Sequence, residues 1–327
     1  MGELLKRRRQ ETAERIKSLR DALKDAEALC GDKACVYVTG SFGRGETSPH
    51  SDLDLFIAGK GNLKKPELTR LDEILIKADL IEATRKLRIR DFSGDGEYLK
   101  HYTVRELLDA LGTPEDDAEN TFTARLLLLL ESSALIGESA YQQITDEVIV
   151  AYWKDYEGHK SDFMPAFLAN DVLRMWRTFC VNYEARTRRE PDREMAKRRL
   201  KNYKLKHSRL LTCYSALLYL LAVFSKNKTV SPTDTKNMIS LTPTARLEWL
   251  LSQPELGDAH SSVGKLIEGY EAFLSNTDAP DEELVSRFMD KQQRAEYFQS
   301  AYRFGDLVFE VLDTIGKRSL FHRLLVV

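Results

Sequence analysis

The chain has 327 residues, enough for two domains of ordinary size. Hydrophobic residues make up 43% and charged residues 31%, a globular composition that excludes a low-complexity or extensively disordered chain. With a net charge of −2, the charge of the whole chain says nothing about a polyanionic partner, and any basic surface must be local.

Residues 1–29 place Leu4, Leu5, Ile16, Leu19, Leu23, Ala26 and Leu29 at helical spacing among many charges, which predicts an amphipathic helix. Its basic run, Lys6 to Arg9, reads as a solvated helix face. No secretory leader pattern is expected from this charged start. The longest apolar runs, Leu126 to Leu130 and Ala216 to Phe224, are shorter than a bilayer span, so no membrane partner is expected. Cys30, Cys35, Cys180 and Cys213 show no metal-ligand spacing and read as reduced thiols of a cytoplasmic protein.

The stretch from Cys35 to Ala58 carries the chemistry. An apolar run, Val36 to Val38, leads into Gly40-Ser41 and a turn bearing Gly43, Arg44 and Gly45; a second apolar run then holds Asp52 and Asp54 two residues apart. In a strand, residues i and i+2 share a face. Both carboxylates therefore project together, with Leu53, Leu55 and Ile57 on the opposite side. Paired carboxylates repel unless a cation lies between them. Oxygen-only ligands suit Mg²⁺, with Mn²⁺ as the alternative, and Mg²⁺ typically binds through one or two carboxylates plus substrate phosphates. The glycines let backbone N–H groups approach a polyanion. The pattern asks for a metal-bound nucleoside triphosphate, ATP among the candidates.

Gly40-Ser41-Phe42-Gly43-Arg44-Gly45-Glu46, followed by Ser51-Asp52-Leu53-Asp54-Leu55, resembles the signature of the DNA-polymerase-β-like nucleotidyltransferase superfamily. With Pro49-His50-Ser51-Asp52, it is similar in particular to the branch containing the bacterial nitrogen-regulatory (PII) uridylyltransferases. The reading that follows makes Asp52 and Asp54 catalytic metal ligands. Gly40 and Ser41 bind the β- and γ-phosphates through N–H and hydroxyl groups, and Arg44 adds a charge-assisted contact.

After a polar linker, Lys60 to Pro66, helical spacing runs from Leu68 to Lys86. Leu87 to Phe92 and Glu97 to Tyr102 are two short predicted strands around a glycine-bearing turn. A third acidic ligand is expected there. Glu97 opens a strand and is preferred; Asp95, in the turn, stays beside it. Thr103 and Glu106 have capping-box spacing. Beyond Gly112-Thr113-Pro114 a further helix leads into Leu126 to Leu130, buried on every side. The expected fold class is α+β: a small mixed-sheet nucleotidyltransferase domain over residues 1–112, then a helical nucleotide- and substrate-binding domain over 113–327.

In the helical half, Arg186 to Arg209 holds eleven Lys or Arg against three acidic residues. Cations neutralise a triphosphate through charge-assisted hydrogen bonds, so contacts are expected from among Lys201, Lys204, Lys206 and Arg209. The expected reaction moves a nucleoside monophosphate from the triphosphate to a hydroxyl acceptor and releases pyrophosphate. The uridylyltransferase resemblance implies a protein acceptor, although the His-Asp hydrolase signature and sensor domain of that branch are not recognisable. A small molecule, a tRNA 3′ end or a second nucleotide are alternative acceptors. A non-catalytic nucleotide-binding module is the rival from another class.

Overall fold

The computed structural model describes every residue except Met1, Leu63, Asp91, residues 93–98, residues 186–191, Arg318 and Val327, and the side chains of Glu184 and Ala185. The chain divides into two compact units, Leu5–Lys154 and Met1–Leu4 with Asp155–Val327.

The first unit contains α1 (Glu3–Ala22, whose first two residues fall to the other unit), α2 (Lys24–Cys30), β1 (Ala34–Val38), the single turn α3 (Gly40–Gly43), β2 (Leu55–Gly59), β3 (Gly61–Asn62) and β4 (Lys65–Pro66). Then come α4 (Arg70–Lys86), β5 (His101–Thr103), α5 (Val104–Asp109), α6 (Glu115–Ala118), α7 (Thr121–Leu130), β6 (Ser133–Ile136) and α8 (Glu138–Tyr152). Four strands form one sheet in the order β5-β2-β1-β6. β1 pairs antiparallel with both β2 and β6, and β5 lies parallel to β2. β3 and β4 make a separate two-stranded ribbon.

Strand periodicity sorts the core. Val36, Val38, Leu53, Leu55 and Ile57 belong to a cluster with Leu19, Leu23, Ala26, Ile76 and Leu80 from α1, α2 and α4. The alternate residues make an aromatic layer, in which Tyr37 stacks on Phe56 at 5.4 Å and Phe56 meets Tyr102 at 6.1 Å. The Tyr37 hydroxyl donates to the carbonyl of Ala124 in α7 (3.0 Å). Helices thus cover both faces of a small mixed sheet, and the chain continues as helices: the fold is α+β.

Several elements differ from the sequence expectation. The N-terminal helix breaks at Leu23 into α1 and α2. Leu87 and Arg88 form a turn, with Arg88 left-handed at φ +55°, and Ile89 and Arg90 are irregular, where the sequence predicts a strand. The capping box of Thr103 and Glu106 forms as expected. The helix leading to the leucine run is interrupted at Asn120, at φ +59°. The fourth strand, β6, was not anticipated. By pairing with β1 it binds the segment after residue 112 to the sheet, so the compact units divide at 154/155 and not at 112/113.

The second unit contains α9 (Ala166–Ala185), α10 (Asp192–Lys204), a π-helical turn at Leu205–Arg209, α11 (Leu210–Asn227), α12 (Pro232–Ile239), α13 (Pro243–Leu251), α14 (Gly257–Asn276), α15 (Asp281–Met289), α16 (Lys291–Gly316) and α17 (Leu320–Val326). Asp192–Asn227 is one continuous helix, long and apolar enough by length and composition to cross a membrane. Its apolar stretch, Leu210 to Val223, is nearly all buried in the unit's own core, the environment of a core helix. Tyr203 and His207 extend that core into an aromatic cluster with Phe273, Phe288 and Phe304.

Candidate active site

The site begins where β1 ends. Thr39 N–H donates to the Asp54 carbonyl (2.9 Å), carrying the β1–β2 pairing one residue past the strands. Gly40 then adopts φ +62°, a left-handed conformation open to glycine, and the chain turns into α3. A Cβ on Gly40 would overlap the Asp54 carboxylate. The turn and that carboxylate are therefore in direct contact.

Asp52 and Asp54 lie in the extended segment that enters β2, just short of its first paired residue, Leu55. Both aspartates are exposed, while Leu53 and Leu55 between and after them are 5% and 4% exposed. This alternation is the period-2 pattern expected from sequence. It leaves two carboxylates on one side, with their intervening leucines anchored in the core. The donor set is all oxygen and open to solvent, which fits a hard divalent cation. Among the described residues no group of three His, Cys, Asp or Glu side chains is gathered for a metal. Glu97 and Asp95, the expected third carboxylates, lie outside the described residues. β5 runs parallel to β2, so the chain enters both strands from the same end of the sheet, the end at which Asp54 sits.

The Gly40 N–H was expected to meet phosphate, but it donates to Glu131 Oε1 (3.1 Å). Arg44 is also turned inward. It is 8% exposed, its Nη1 donates to Glu131 Oε2 (2.9 Å) and its Nε to Glu46. A charge-assisted bond within a buried network is not readily given up to a ligand. Arg44 therefore braces the turn, and Ser41, partly exposed at the start of α3, is the turn residue left facing outward. Glu131 directly follows the leucine run, and nothing beside it in the sequence points to the turn. A glutamate closing an all-apolar run is the one signal that could have flagged it.

Helix α1 holds the far side of the loop. Arg8 Nη1 donates to the Thr47 carbonyl (2.8 Å), Thr12 accepts from Thr47 N–H (2.9 Å), and Arg15 Nη1 donates to the Ser48 carbonyl (2.5 Å). The spacing 8, 12, 15 is one helix face. Arg8 is thus buried, although Lys6 and Arg7 beside it are solvated as expected.

Of the two histidines nearest the motif in sequence, His50 is exposed and His101 is a packing residue. His101 lies over Gly59 with Nδ1 3.7 Å from Glu73, and burial pushes its pKa down. Burial acts against the charged form of Glu73, but hydrogen bonds from Lys77 and Arg70 outweigh it and hold that carboxyl below the ordinary range.

The four cations expected at the triphosphate belong to the second unit, and three of them have partners there. Lys204 lies 3.6 Å from Asp281, Lys206 sits over the Tyr302 ring at 5.1 Å and Arg209 over Phe179 at 5.5 Å; Lys201 is exposed.

Residues 16–109 match the family model of the nucleotidyltransferase domain, a span from within α1 to the end of α5 that includes the whole Gly40–Asp54 stretch. No curated protein and no solved structure matches the chain. The motif, the sheet that carries it and the family match agree, and residues 16–109 form a nucleotidyltransferase domain of the DNA-polymerase-β-like kind.

Proposed function

We propose that the protein transfers a nucleoside monophosphate from a nucleoside triphosphate to a hydroxyl acceptor, with release of pyrophosphate. The observation that carries this reading is the contact of the Gly40 turn with the Asp54 carboxylate, beside a second exposed carboxylate at Asp52. Together with the nucleotidyltransferase-domain match, this puts a candidate phosphate-binding turn and a candidate cation-binding pair side by side.

Asp52 and Asp54 would hold Mg²⁺ or Mn²⁺. When bound there, the ion supplies charge neutralisation for the triphosphate and for the α-phosphorus as it reacts. Leu53, buried between the carboxylates, and Leu55, buried just after them, restrict how far the pair can move apart. Ser41 offers its hydroxyl to the phosphates. The acceptor oxygen forms a bond to the α-phosphorus as the bond to the β-phosphate oxygen breaks. The acceptor proton passes to a carboxylate, for which Glu97 is preferred and Asp95 is the alternative, or to solvent. Lys201, Lys204, Lys206 and Arg209 remain proposed triphosphate contacts.

A protein hydroxyl is the preferred acceptor. The support is the similarity of residues 43–46 and 49–52 to the uridylyltransferase branch. A small molecule, tRNA or a second nucleotide is the alternative. The chain is incubated with Mg²⁺ and each labelled triphosphate in turn, with lysate protein, tRNA or small acceptors. Pyrophosphate release is expected with at least one triphosphate. Binding of a triphosphate without pyrophosphate under every condition would favour a non-catalytic module.

A further inference from the structure

We propose that Glu131 is the positioning residue of the nucleotide-binding turn, reaching it from outside residues 16–109. Its role rests on the nucleotidyl-transfer reading of Asp52 and Asp54, but its geometry does not. Glu131 meets the turn at three points. One carboxylate oxygen accepts from Gly40 N–H (3.1 Å), the other accepts from Arg44 (2.9 Å), and its own carbonyl packs against Gly43 so closely that a Cβ there would overlap it. These three residues are the first, the last and the C-cap of α3. The Val38 carbonyl of β1 crowds the same position, so a Cβ on Gly43 would meet it as well. Glu131 thus holds both ends of the turn against the strand that it leaves.

The link to the chemistry runs through Gly40. Its N–H is fixed by Glu131, and its Cα lies against the Asp54 carboxylate. A shift of Gly40 away from Glu131 moves the surface on which Asp54 rests, as well as the entry of Ser41 into α3. An alternative is that the Glu131 carboxylate occupies a phosphate's place and leaves when substrate arrives. Its side chain is 0% exposed, enclosed by Arg44 and the turn. A departing carboxylate would break two buried hydrogen bonds, those from the Gly40 N–H and from Arg44, the second of them charge-assisted. The burial favours a permanent brace.

Glu131 follows α7, the helix whose leucines are buried throughout, and only one residue, Ser132, separates it from β6. Arg20 of α1 donates to the carbonyls of Ala134 and Leu135 in β6 (2.7 and 3.0 Å). Glu131 is therefore held on a rigid frame from both sides, as a residue that must locate another to within a fraction of an ångström requires.

The test uses the full chain with Glu131→Gln, which keeps the volume but presents an amide to two donors. Glu131→Asp is the conservative comparison. Three quantities are read: hydrogen exchange of the Gly40 amide, binding of each of ATP, GTP, CTP and UTP with Mn²⁺, and KM against kcat for pyrophosphate release. The expected result for Glu131→Gln is a faster-exchanging Gly40 amide, at least about tenfold weaker binding of the triphosphate that the native chain binds best, and a matching loss of kcat/KM. Glu131→Asp should recover part of each. If Glu131→Gln does not fold, Glu131→Asp, which keeps a carboxylate beside Arg44 but shortens its reach to Gly40, is read in the same way. Native-like binding and kcat/KM in a folded variant with a fast-exchanging Gly40 amide overturns the proposal, as does a Gly40 amide that stays protected. A native chain that binds triphosphate without releasing pyrophosphate overturns the nucleotidyl-transfer reading alone, because binding still decides the role of Glu131. A native chain that binds none of the four overturns both.

Discussion

Asp54 rests its carboxylate against the Cα of Gly40, the residue whose left-handed backbone starts the turn after β1. One substitution probes both features. Gly40→Ala puts a side chain into a conformation that costs a non-glycine residue roughly 1–2 kcal/mol, and its methyl group displaces Asp54. The expected outcome is a drop in unfolding free energy of at least that size in urea titration, together with loss of pyrophosphate release. Native stability and turnover would show that the turn does not depend on its contact with Asp54.

A second prediction concerns a buried ion pair behind the sheet. Asp116 and Arg125 are both 0% exposed, and the guanidinium makes two hydrogen bonds to the carboxylate (2.6 and 2.9 Å). It also donates to the Leu107 carbonyl and to the Tyr152 hydroxyl. Burial alone would lower the Arg125 pKa, but Asp116 and Tyr152 reverse this and raise it, so Arg125 stays charged. Removing one partner strands the other charge. Asp116→Asn is expected to cost on the order of 3–5 kcal/mol, measured by urea denaturation, and Asp116→Leu with Arg125→Met should recover much of that loss.

His207 gives the helical unit a pH dependence of definite sign. Burial depresses its pKa from the ordinary 6.5 to about 4, and the ring stacks on Phe273 at 4.5 Å. Below about pH 6.5 the unfolded chain binds this proton and the folded chain does not, so stability falls as pH drops towards 4 and this contribution levels off below that. The slope is at most about 1.4 kcal/mol per pH unit. His207→Phe preserves the stacking surface and should flatten the stability profile between pH 4 and 6.5, as read by thermal denaturation across that range. An unchanged slope would place the titration elsewhere.

The parts legible in the sequence were those that local chemistry determines. A Gly-Ser turn, an alternating acidic entry to a strand, a capping box at Thr103 and a leucine run buried all round each depend on near neighbours, and each stands where the residues place it. What the sequence did not disclose depends on distant partners. Ser133–Ile136 is a four-residue apolar segment that becomes a strand only because β1 offers it an edge. Arg44 looks like a phosphate ligand until Glu131, 87 residues away, claims its guanidinium. Arg8 looks solvated until Thr47, 39 residues away, presents a carbonyl. The basic residues 201–209 have the charge for a triphosphate, but Lys204, Lys206 and Arg209 lie against Asp281, Tyr302 and Phe179, from segments that spacing alone does not bring together.

The central claim is most directly tested by measuring pyrophosphate release from the full chain with Asp52→Asn and Asp54→Asn together, against the native chain, with Mg²⁺ and the triphosphate that the native protein turns over. Both residues are exposed and contribute little to the core, so the variant should keep its thermal transition, while its rate should fall by at least about a hundredfold. Turnover at the native rate would contradict the account.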